Sequence, residues 1–188
     1  MRVDAQRNYE HLLDTARAVV AEQGADASLR DIARRADVAI GTFYRHFPSR
    51  EALLDALLRT SFDELTHQAA ELEASSSARV ALIDWLRDCV AFSSTFRGVT
   101  TMMMSAIEDE ASALHASCVA MRSAGTKLLS RAQTAGIAHA YLDGDDLFAL
   151  IAALAWLGDQ PSTERRADHL FDVIVGAILI DEELANPR

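Results

Sequence analysis

Residues 28–54 read SLRDIARRADVAIGTFYRHFPSREALL, and the punctuation of this stretch decides the fold. Ser28 followed by Asp31 has the form of a capping box, with the Ser28 hydroxyl accepting from the Asp31 amide and the Asp31 carboxylate reaching back. A short helix is expected from Leu29 to about Ala36. A three-residue break at Ala36-Asp37-Val38 follows, then a second short helix over 39–46. Pro48 stops that helix and Ser49 is placed to cap the next. Two short helices joined by a tight turn, with a longer one directly after, make a helix-turn-helix pattern.

Upstream, Tyr9, Leu12, Leu13, Ala16, Val19 and Val20 fall on one helical stripe, and Gly24 sits where a helix ends. Downstream, Leu53, Leu54, Leu57, Leu58, Phe62, Leu65, Ala69 and Leu72 predict an amphipathic helix of about six turns. Ala74-Ser75-Ser76-Ser77 reads as a loop. Further helices are expected over 78–95, 100–107, 109–135, 143–157 and 163–179, with breaks at Gly98, Gly136, Gly144 and Gly158-Asp159-Gln160-Pro161. No strand and no internal repeat is evident. The 188 residues contain three prolines and eight glycines, which favours helices over the turn chemistry of an all-β chain. The fold class is all-α: an N-terminal three-helix head with a helix-turn-helix over 1–48, and a C-terminal helical bundle over 49–188.

The chemistry of the short helices suits nucleic acid. Ile32, Ala36, Val38, Phe43 and Phe47 supply the apolar contacts that fix the helix pair onto the first helix. Gly41 has no side chain, so DNA can approach its backbone closely, at a cost to helix stability of about 1 kcal/mol. Thr42 and Tyr44 carry hydroxyls, and Arg45, His46 and Arg50 add donors. The run from Gly41 to Phe47, with Arg50-Glu51-Ala52-Leu53 after it, closely resembles the signature of TetR-family transcriptional regulators, over about residues 9–58. The resemblance implies a DNA-binding surface made by Ser28, Arg30, Ala39, Ile40, Gly41, Thr42, Tyr44, Arg45, His46 and Arg50. Thr42, Tyr44 and His46 would meet the backbone or base edges, Arg50 would bind a phosphate, and Ser28 and the amides near it would present to another. Two positions depart from the family pattern. Asp37 stands where the turn usually has Gly, and Ala39 where the recognition helix often has a Ser cap. Ala39 and Ile40 offer apolar contacts instead, either to thymine methyls or, for Ile40, to the protein itself.

Net charge at first argues the other way. Aspartate and glutamate outnumber lysine and arginine 28 to 18, a balance of −10. Residues 1–48, however, hold seven arginines against seven carboxylates, so the remaining 140 residues, with eleven cations and twenty-one carboxylates, carry the whole excess. A neutral head and an acidic body that DNA repels should disfavour non-specific binding.

For the body, the resemblance implies a homodimer and an effector pocket. Leu147, Leu150, Ile151 and Leu154 on the helix over 143–157, with Phe171, Ile174, Val175 and Ile178 on the next, are the expected dimer interface, a four-helix contact of the isologous kind. Filling of a monomer core is the other reading of the same pattern. Trp85, Phe92, Phe96, Met102, Met103, Cys118, Met121 and Trp156 are the pocket candidates, a mixture suited to an apolar or aromatic small molecule, although each also fits ordinary core. The expected partners are thus a double-stranded DNA operator, a second copy of the chain and a small-molecule effector.

Other classes find little support. There is no Gly-x-Ser-x-Gly elbow, Gly-rich phosphate loop or His-Glu-x-x-His, so no enzyme is expected. His115 and Cys118 lie one turn apart, but no third ligand has suitable spacing; no metal or other cofactor is expected. Cys89 and Cys118 read as small buried side chains rather than a disulfide. The N-terminus lacks the apolar run of a signal peptide, and no stretch is long enough for a membrane span, so a cytoplasmic location is expected. The alternative function is a dimeric helical interaction or small-molecule-binding module without operator-specific DNA binding.

Overall fold

The computed structural model describes residues 2–180 except 97, 159, 161 and 163–165, with side chains described from Arg7 onward. Among the described residues the elements are ten helices: α1 (Arg2–Gln23), α2 (Leu29–Arg35), α3 (Ile40–His46), α4 (Arg50–Glu73), α5 (Ala78–Thr95), α6 (Val99–Met102), α7 (Met104–Glu108), α8 (Ala113–Thr134), α9 (Gly144–Gly158) and α10 (Ala167–Ile178). The only extended pairing among them is an isolated antiparallel bridge between Ala138 and Leu179. The chain clusters into two compact units, Met1–Ser61 with Thr95–Ala116, and Phe62–Ser94 with Ser117–Arg188. The first unit therefore runs past residue 48 and takes in the first part of α4.

In the first unit, the α1 stripe turns Leu12, Leu13, Ala16, Val19 and Val20 into the core, where Ile32, Ala33, Phe43, Phe47, Leu53, Leu54, Leu57 and Leu58 are also buried. Asp37 adopts the left-handed conformation, φ 53°. With it, the Asp37 and Val38 amides close back on the Arg34 and Ala33 carbonyls at 3.2 and 2.9 Å, the bond pattern of a Schellman motif. Aspartate does here what glycine does elsewhere, since its short polar side chain tolerates this region. Ser49 caps α4 through the Ala52 amide at 3.2 Å.

Expected helix boundaries shift at four places, one of them the helix expected over 163–179: residues 163–165 lie outside the described residues and α10 begins at Ala167. The single helix over 100–107 is two helices: Met103 has φ −95° and ψ 6°, and its amide turns back on Val99 and Thr100 at 3.0 and 3.2 Å while its side chain is buried. α8 begins at Ala113, not Asp109, because the Asp109 carboxylate takes the Ala111 amide at 3.0 Å and holds a turn. Ser112 then caps the helix through the His115 amide at 3.0 Å. α9 runs from Gly144 to Gly158 against the expected 143–157; a Cβ on Gly144 would collide with the Thr126 side chain.

The core of the second unit centres on Trp85, whose indole N–H donates to the Leu65 carbonyl at 2.9 Å and whose ring meets Phe148 edge-on at 5.9 Å. Gly125 of α8 lies directly against that indole, with no room for a Cβ. Arg131 holds the 74–77 loop by donating to the Leu72 carbonyl at 3.1 Å and to that of Ser75. Arg79 donates to the Ile180 carbonyl at 2.6 Å, tying down the segment after α10.

Candidate nucleic-acid interface

α3 is divided cleanly between inside and outside. Phe43 and Phe47, four residues apart, are buried with ring centroids 5.6 Å from each other, and Tyr9 of α1 lies against Phe47 at 5.6 Å and His46 at 5.8 Å. This aromatic anchor fixes the rotation of the helix. Ile40, Gly41, Tyr44 and Arg45 consequently share the outward face, with Ala39 before them and His46 after, all exposed. Thr42 is half-buried and its hydroxyl accepts from Arg45 Nη2 at 2.8 Å, which orients the guanidinium along the helix. Ala39 makes no side-chain cap.

α2 supplies the second edge. Ser28 and Arg30 are exposed. The Ser28 hydroxyl accepts from the Asp31 amide at 3.4 Å, but the reciprocal half of the expected capping box is missing. The Asp31 carboxylate instead pairs with Arg34, with Arg35 Nε at 3.0 Å and with Gln23 Nε2 at 3.2 Å, and Arg35 also reaches Glu22 at 2.6 Å. The Arg34 hydrogen bond above all holds the Asp31 carboxyl below its ordinary value. The ion pairs that Asp31 makes are therefore present at neutral pH and are lost only as pH falls through that lowered value. Two of the seven head arginines are spent on this network.

Arg50, expected on a phosphate, is partly buried and donates through Nη1 to the carbonyls of Ala25 and Ala27 at 2.8 and 2.6 Å. It braces the loop between α1 and α2 against the start of α4, and so positions Ser28. Arg50→Ala is expected to lower stability by about 1–3 kcal/mol, as loss of a charge-assisted bond to two carbonyls should. A shift of the urea midpoint without a change of slope would register it.

The residues expected from sequence to line a pocket differ widely in burial. Trp85 is filled core, as is Met121; Met103 is buried in the α6–α7 break and Phe96 is buried after α5. Phe92 packs on Phe62 at 5.3 Å, Cys118 is half-buried with burial raising its thiol pKa, and Met102 and Trp156 are exposed. Two of the open hollows among the described residues, of about 410 and 430 Å³, are lined by Glu71, Asp84 and Asp88 and by Val119, Arg122 and Phe148 among others, and none of the eight lines these two. Among the described residues, no three His, Cys, Asp or Glu side chains are grouped to hold a metal.

The dimer assignment also divides. Leu147, Ile151, Leu154, Phe171 and Ile178 are buried within the single chain, while Leu150, Ile174 and Val175 are half-exposed. An all-round apolar helix gives no phase, so sequence merged its two faces. The face left open carries Ala149, Ala152, Ala153 and Trp156 of α9, and Val173, Gly176 and Ala177 of α10, with Trp156 63% and Val173 53% exposed.

Comparison with known proteins accounts for both parts of the chain. Residues 12–57 match the family model for bacterial regulatory proteins of the tetR family, and residues 77–177 match that for the C-terminal domain of SbtR-like transcriptional regulators. The HTH-type transcriptional repressor KstR2 of Rhodococcus jostii is 42% identical over 65 residues, 34% of this chain, and the match spans about a third (32%) of that protein's length. A TetR transcriptional regulator of Streptomyces coelicolor has a TM-score of 0.73 at 29% identity, covering 91% of this chain and 98% of its own. A TetR transcription regulatory protein of Mycobacterium vanbaalenii has a TM-score of 0.69 at 26% identity, covering 95% and 99%. With family models matching over residues 12–57 and 77–177, the chain belongs to the TetR family of DNA-binding transcriptional regulators.

Proposed function

We propose that the chain is a ligand-responsive repressor that binds a palindromic operator as a homodimer, with residues 1–48 as the reading head. The observation that carries this is the outward face of α3, where Ile40, Gly41, Tyr44 and Arg45 stand exposed over a buried Phe43–Phe47 pair. A face so oriented suits the major groove, and two-fold symmetry of the protein would be mirrored in the half-sites. The open apolar face of α9 and α10 supports the dimer. An apolar or aromatic effector held in the body would lower operator affinity, and the operator would lower effector affinity by the same factor.

Selection of bound DNA from a random pool tests the reading. An inverted repeat is the expected product, and a pool that returns no enriched sequence overturns it. On the recovered site, Arg45→Ala should weaken binding by about tenfold or more, because an arginine on this face contributes about 1–3 kcal/mol whether it meets a guanine or a phosphate. A lower slope of affinity against salt would assign it to phosphate.

A further inference from the structure

Gly41 is costly where it stands and nothing inside the protein requires it. It lies within α3 with no positive φ, and a Cβ added to it would meet no atom within 4 Å. Glycine in such a position sacrifices helix stability. Since the chain's own packing leaves space for a side chain, the reason for its absence lies in what approaches from outside. Beside it, Ile40 is 40% exposed at the first position of the helix, while the buried side of α3 is filled by Phe43 and Phe47. Ala39 precedes it without a capping side chain. The exposed side chains at this end of the helix are thus apolar, and the donors Tyr44, Arg45 and His46 come one turn later.

The major-groove edge of a base pair carries donors, acceptors and one apolar group, the 5-methyl of thymine. We propose that Ile40, brought close by the missing side chain of Gly41, packs on a thymine methyl and thereby fixes an A·T pair at one position in each half-site. The branched side chain has few rotamers to lose on contact, which suits a rigid reader. This inference rests on the operator-binding reading above and specifies one base within it.

The full-length chain is titrated against its selected operator with single thymines replaced by 2′-deoxyuridine, which removes the methyl and leaves the hydrogen-bonding edge intact. Replacement at one thymine per half-site is expected to weaken binding about fourfold, the worth of one buried methyl-sized group. In the Ile40→Ala variant the same replacement should have no effect. Gly41→Ala should raise the thermal midpoint while weakening operator binding. Uniform indifference to deoxyuridine, sensitivity that survives in Ile40→Ala, or wild-type affinity in Gly41→Ala would each overturn the proposal. Failure to select any operator would instead overturn the function on which it rests.

Discussion

Trp85→Ala is expected to cost about 3–5 kcal/mol of stability, the range for truncating a large aromatic in a packed core. The indole is fully buried, its N–H is satisfied by the Leu65 carbonyl, and its six-membered ring sits where Gly125 leaves out a side chain. Truncation removes the transfer energy of the ring, opens a cavity between α5 and α8, and takes away the side-chain donor that the Leu65 carbonyl accepts in addition to its helical one. Gly125→Ala approaches the same contact from the other side and should destabilise through overpacking, by about 1–3 kcal/mol. The two substitutions touch one another's partner, so their effects should not add. Urea denaturation with intrinsic fluorescence from the remaining Trp156 measures the first, and far-UV circular dichroism measures both. A loss below about 1 kcal/mol for Trp85→Ala would mean that the ring lines a pocket and contributes little packing, the role for which its sequence made it a candidate beside ordinary core.

That ambiguity shows where sequence reading stops. The stops and starts of the helices were legible wherever a residue acts on its own backbone: Asp37 turning left-handed, Ser49 capping α4, Gly24 and Gly136 with positive φ. They were less legible where two local signals compete. Ser28-x-x-Asp31 and Asp143-x-x-Asp146 have the same form, yet only the second closes reciprocally, with Asp146 N–H donating to Asp143 Oδ1 at 2.9 Å and Asp143 N–H to Asp146 Oδ2 at 3.1 Å. The difference lies three and four residues on. Asp31 faces Arg34 and Arg35, which draw its carboxylate along the helix, whereas Asp146 is followed by Ala149 and Leu150 and turns back to the cap. A search for basic residues at those spacings would have separated them.

Which residues of α3 point outward was legible in the sequence, because Phe43 and Phe47 fix the phase of a helix only seven residues long. The intramolecular role of Arg50 was not legible for a physical reason: an arginine next to a phosphate and an arginine holding a loop carbonyl look alike in one dimension. Its partners Ala25 and Ala27 carry no side-chain signal at all, since both accept through the backbone. In the body, α9 is apolar on every side, and periodicity cannot tell a core-facing leucine from an interface-facing one. Only the packing of α9 against α10 divides Leu147, Ile151 and Leu154 from the alanines and Trp156 on the open side.

Trp156→Asp tests that division and has the largest expected effect on function. Trp156 is exposed in the single chain, so the substitution leaves the fold intact and the far-UV spectrum unchanged. Its neighbours on the open face, Ala149, Ala152, Ala153, Gly176 and Ala177, are small, and a large ring projecting among small residues can seat against its symmetry mate or in the shallow surface beside it. In an isologous interface every substitution counts twice. Loss of a buried tryptophan contact costs about 2 kcal/mol or more per copy, and a carboxylate left in its place adds repulsion across the two-fold axis. The dimer should therefore weaken by about a thousandfold or more, giving a monomer by sedimentation at micromolar concentration. Operator affinity should fall by about a hundredfold or more with it, because each head then binds its half-site alone and the gain from linking two heads is gone. Arg45→Ala, in contrast, should weaken the operator complex and leave the dimer untouched. A Trp156→Asp protein that stays dimeric would place the interface on another face. One that becomes monomeric yet holds the full operator as before would show that the two half-sites are read without a protein dimer to join them.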